Sequence, residues 1–69
     1  MQTYPETDAR FHARQIQTQL ESLIENMRQD IEKVDDPKAQ ALFETSAEVL
    51  TGLKTAYIHY EQQAEEAWR

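Results

Sequence analysis

The sequence predicts an all-α protein, a two-helix antiparallel hairpin that dimerises into a four-helix bundle. Three observations carry the prediction: two long stretches place apolar residues at alternating steps of three and four, one Asp-Pro break separates them, and the 69 residues include a single glycine. That spacing lays one apolar stripe along a helix of 3.6 residues per turn, and a single break allows a single reversal of direction.

In the first stretch Ala9, Ala13, Ile16, Leu20, Leu23, Met27 and Val34 form the stripe, and Ile24 and Ile31 widen it. Pro5 suits a first helical turn, where its missing amide would have no partner, and Thr3 with Glu6 fits a capping box, so the helix is expected from about residue 5 to 34. At Val34-Asp35-Asp36-Pro37 the proline disfavours helix in the residue before it. Asp36 can accept from the first amides of a helix that begins at Pro37, which leaves 35–36 as the turn. Ala39, Leu42, Phe43, Ser46, Val49, Leu50, Leu53, Ala56, Tyr57, Tyr60, Ala64 and Ala67 then set a second helix over about 37–67, and residues 1–69 read as one domain.

Helices of about 30 residues are about 45 Å long, so two side by side make a rod that cannot bury both stripes alone. Each stripe is wider than a coiled-coil seam, as in bundle helices that touch two neighbours, and a homodimer of hairpins is the simplest solution. The residues expected in the core or between subunits are Ile16, Leu20, Leu23, Met27, Leu42, Val49, Leu50, Leu53, Tyr57 and Tyr60. Gly52, inside the second helix, costs about 1 kcal/mol relative to alanine and is read as a place where helices approach closely.

A chain this short sits near the lower limit for one unaided core, and with no cysteine it has neither disulfides nor thiolate metal ligands to help. Self-association is the remaining staple. Thirteen acidic and seven basic residues give a net charge of -6, scattered along the chain with no basic stripe, which disfavours nucleic acid and an anionic membrane surface as partners. No apolar run has the roughly 20 residues that cross a bilayer, and Met1-Gln2-Thr3-Tyr4-Pro5 is not a basic region followed by an apolar one. A cytoplasmic location is the expectation.

Candidate chemistry is sparse. A carboxylate-bridged metal pair in a helical bundle needs Glu-x-x-His, whose spacing aims both side chains at one ion, and the residues three before His12 and His59 are Ala9 and Ala56. Glu21, Glu25, Glu44 and Glu48 fall away from the apolar stripes and read as solvated faces. His12 and His59 flank the stripes near the open end of the hairpin; they are the candidates for metal ligation, weighed against a plainer reading as interface histidines. Phe11, Tyr57, Tyr60 and Trp68 make that end aromatic, for packing, dimer contact or a protein partner. Ser22 and Ser46 lack the context of an activated nucleophile, one glycine cannot build a phosphate loop, and no catalytic residue or cofactor is assigned.

From about Leu20 to Glu61 the chain resembles the helical hairpin of the rubrerythrin branch of the ferritin-like superfamily. The likeness rests on Asp35-Asp36-Pro37-Lys38-Ala39-Gln40-Ala41-Leu42-Phe43-Glu44, on Ala47-Glu48 and on Tyr60-Glu61. In the register the resemblance implies, the family's Glu-x-x-His falls on Leu50 and Leu53, and the glutamate of the preceding helix falls near Leu20. Leucine at all three positions turns a metal cavity into ordinary core, so the resemblance implies paired hairpins without the di-iron centre or its oxidase and peroxidase chemistry.

The function expected is a non-enzymatic, homo-oligomeric bundle that acts as a structural or protein-interaction module. The alternative is a ferritin-like, iron-handling protein whose site assembles across the oligomer interface. A third reading, a small exported helical hairpin, fits less well because such proteins carry a Trp-x-Gly turn and this turn is Val34-Asp35-Asp36-Pro37.

Overall fold

The computed structural model describes residues 4–67, with side chains to residue 63. It consists of two antiparallel helices, α1 (Ala9–Lys33) and α2 (Pro37–Ala67), packed along their length into a rod of 50 × 17 × 17 Å. Among the described residues there is no strand.

The first helix starts later than the expected residue 5, and the reason is local. Pro5 enters a turn closed by the Asp8 amide donating to the Pro5 carbonyl at 2.9 Å. Asp8, in an extended conformation, then accepts the Arg10 amide on its side chain at 2.9 Å and is the N-cap of α1. Thr3, the other half of the expected capping box, lies outside the described residues. At the far end the Val34 amide donates to the Asp30 carbonyl, and the Asp36 carboxylate accepts the Lys38 amide at 3.0 Å, which caps α2 at Pro37 as expected. The carbonyls left open at the end of α1 find a partner that hydrophobic counting passes over. Gln40 donates its side-chain amide to the Val34 carbonyl at 2.7 Å and the Ile31 carbonyl at 3.3 Å, so the first turn of α2 closes the last turn of α1.

The seam between the helices follows heptad steps on both. On α1 it runs through Arg10, Ala13, Gln17, Leu20, Ile24, Met27, Ile31 and Val34, and on α2 through Gln40, Phe43, Ala47, Leu50, Lys54, Tyr57 and Glu61, all buried or half-buried. Ala13, Ile24 and Ala47 are its buried apolar residues. This seam is narrow, because alternating steps of three and four give each helix one contact stripe of the coiled-coil kind. Much of the remaining apolar surface stays outside: Leu23, Leu42, Val49, Leu53 and Tyr60 are all exposed.

Gly52 does not mark a close approach between α1 and α2. A methyl group added there would meet nothing within 4 Å, so the glycine permits no close approach inside the hairpin.

Candidate functional site

Two features stand out, an apolar groove along one side of the hairpin and a polar latch at its open end. The groove has two parts. Near the open end Ala9, His12, Ala13 and Ile16 of α1 and Leu53, Ala56, Tyr57 and Tyr60 of α2 line a hollow of about 480 Å³. Nearer the turn Leu23 and Met27 of α1 and Thr45, Ser46, Val49 and Leu50 of α2 line a second.

Both hollows lie on one side because the stripe on each helix is lopsided. Leu23 precedes the seam residue Ile24 and Ser46 precedes Ala47, and both line the groove. Glu25 and Glu48 follow those seam residues by one step of about 100° and face the other way, exposed. Glu21 and Glu44 are exposed as well. Glu21, Glu25, Glu44 and Glu48 therefore point away from the groove, whose edges carry Gln19, Asn26, Thr45 and Gly52 together with the charged Asp30 and Lys38.

The latch is built on Glu61, a carboxylate 8% exposed at the end of the α2 seam. Arg14 donates to it through Nη2 at 2.5 Å and Nε at 3.2 Å, the Tyr4 hydroxyl at 2.8 Å and the Gln17 side-chain amide at 3.1 Å. The Arg14 donors, helped by Tyr4 and Gln17 and opposed by burial, hold the carboxyl down at about 2. Glu61 in turn raises Arg14. The Arg10 guanidinium lies 4.5 Å from the Tyr4 ring centroid and donates to Asp8, whose pKa it lowers, so the segment before α1 is tied to both helices.

The sequence-derived positions divide between the seam and the groove. Ile16, Leu20, Met27, Leu50 and Tyr57 are half-buried, whereas Leu23, Leu42, Val49, Leu53 and Tyr60 are exposed in a single hairpin. His12 lines the groove and its Nε2 stands 2.8 Å from the Glu6 carbonyl; His59 is exposed and does not line the same hollow. Phe11 packs its ring edge-on against His12, with centroids 5.2 Å apart, while Trp68 lies outside the described residues. Among the described residues no three His, Cys, Asp or Glu side chains are grouped to hold a metal ion. None of their helices is long and apolar enough to cross a membrane.

Glu61 and Gln40 are the functional-looking residues that sequence reasoning missed. Their signal was available: Gln40, Lys54 and Glu61 continue the heptad of Phe43, Ala47, Leu50 and Tyr57. No family model matches the chain, and neither does any curated protein or any solved structure.

Proposed function

We propose that this chain is a homo-oligomeric helical bundle, a dimer of hairpins that serves in the cytoplasm as a structural or protein-interaction module without catalysis of its own. The observation that carries the reading is the groove face, with large apolar side chains exposed and Glu21, Glu25, Glu44 and Glu48 turned away. Leu42 is 62% and Val49 64% exposed, an arrangement that leaves apolar surface in water unless something covers it.

A second copy is the occupant the face fits best. One side of a rod 50 Å long and 17 Å wide has room for the roughly 800 Å² per partner that a stable dimer buries. Copies with a charge of -6 repel one another, and with Glu21, Glu25, Glu44 and Glu48 on the far side much of that repulsion is kept off the contact. Among the described residues three apolar residues are buried, which is little for a helical pair of this length and makes association part of its stability. The ferritin-like resemblance supports the same pairing, and Leu20, Leu50 and Leu53 then fill the place of the family's ligands.

Light scattering tests this directly. The expected mass is twice the 8.1 kDa of the chain, without stoichiometric metal in the same peak. Leu53→Asp would bury an unpaired charge at the contact and should weaken association more than 100-fold, with loss of helical signal. A wild-type protein that is fully helical and monomeric at micromolar concentration would overturn the reading. The iron-handling alternative draws on His12, which lines the groove and would face a second copy. Stoichiometric iron or zinc in the dimer peak, abolished by His12→Ala with His59→Ala, would favour it.

A further inference from the structure

We infer that the two hairpins dock antiparallel, open end against turn, about a two-fold axis that passes beside Val49 and seats Leu42 of each copy in the open-end hollow of the other. This rests on the pairing proposed above and adds its direction and register.

The hollows and the projecting side chains make the case. Leu53, Ala56, Tyr57 and Tyr60 line the open-end hollow at positions i, i+3, i+4 and i+7, the four-residue hole that receives one knob from a facing helix. Its floor is low because Ala9, Ala13 and Ala56 are small. Among the described residues no large side chain of the same copy occupies it, and Leu42, the exposed leucine nearest the turn, lies on the same side of α2 as Tyr60 about five helical turns away. If α2 packs antiparallel on α2 of the second copy, the residue midway between Leu42 and Ala56 lies on the axis. That residue is Val49, the most exposed large apolar side chain in the groove.

A second coincidence uses other residues. Leu53 projects from the groove at 45% exposed, and Ser46 is among the α2 residues that line the turn-side hollow. Their midpoint falls between Val49 and Leu50, so the axis that seats Leu42 also seats Leu53.

A third lies on α1. His12 lines the groove, and Asp30 follows it by eighteen residues, about five turns, on the same side of the helix. Their midpoint is Glu21, in the turn of α1 that runs alongside Leu50, because Ile16 lies next to Leu53 in one hollow and Leu23 next to Leu50 in the other. The same axis thus places the imidazole of each copy beside the carboxylate of the other. Parallel docking instead sets the open-end hollows against each other and leaves alanines facing across a void.

The chain has no cysteine, so single cysteines report the geometry. After light scattering has fixed the mass, Val49→Cys should oxidise to a dimer with itself in more than half of the molecules, while Thr18→Cys, on the far side of α1, gives less than a tenth. Leu42→Cys should not join its own copy but should join Ala56→Cys in a mixture. A dimer in which Val49→Cys joins Leu23→Cys and not itself would overturn antiparallel docking and leave the pairing intact. A monomeric wild type would overturn the pairing.

Discussion

Glu61 links three parts of the chain through one carboxylate, and its protonation is coupled to folding. An ordinary glutamate titrates near 4.5 and this one is held at about 2, so the folded state favours the ionised form. The contribution is present in full above about 4.5 and is lost as pH falls through about 2. Glu61→Gln should therefore lower stability at pH 7 by about 1–2 kcal/mol, because Arg14 loses its ionic partner. The same variant should show a smaller loss between pH 4.5 and 2 than the wild type does, read by circular dichroism melts at both ends of that range. A variant with an unchanged acid profile would remove Glu61 from the account. Residues of this kind are hard to see in a sequence, since a glutamate in a heptad position looks like any surface glutamate until Tyr4, Arg14 and Gln17 are brought to it from the other end of the chain.

At the scale of the helix the ends were legible where the chemistry is local. Asp36 before Pro37 set the start of α2, and it caps there. The start of α1 was read too early because Pro5 suits a turn as well as a helix, and Asp8 outcompetes it as a cap by offering its carboxylate to the Arg10 amide. Asp8→Ala and Asp36→Ala should each cost about 1 kcal/mol, or about 5 °C in melting temperature. Gln40→Ala should add to the Asp36 effect rather than replace it, because it acts on the carbonyls of the other helix. Gly52 sits in a helix interior with open space around it, so Gly52→Ala should raise stability by about 1 kcal/mol. No rise in the melting curve would mean that another helix lies against that position.

For the whole molecule the period of the apolar residues revealed the hairpin, while the division of labour among them required the structure. Ile16, Leu23, Ile24 and Ile31 all belong to one broad stripe in the sequence, yet Ile24 is buried between the helices and Leu23 is exposed beside it. Hydrophobicity alone cannot make that distinction; the position of Ile24 in the heptad of Ala13, Leu20, Met27 and Ile31 that faces α2 does. Leu42→Ser should weaken association about 10-fold with little change in the secondary structure of the associated protein, measured by sedimentation equilibrium. An effect equal to that of Thr18→Ser would show that Leu42 lies outside the contact.

The lopsided distribution of charge also limits growth. Each hairpin carries one apolar side and one side of Glu21, Glu25, Glu44 and Glu48, so a two-fold contact consumes the adhesive surface of both molecules and presents carboxylates everywhere else. Such a contact closes on itself, whereas a head-to-tail contact would leave a free end and propagate into a filament. Raising the concentration should fill the dimer and then stop, with scattering that rises in proportion to protein and no fibrous species at neutral pH.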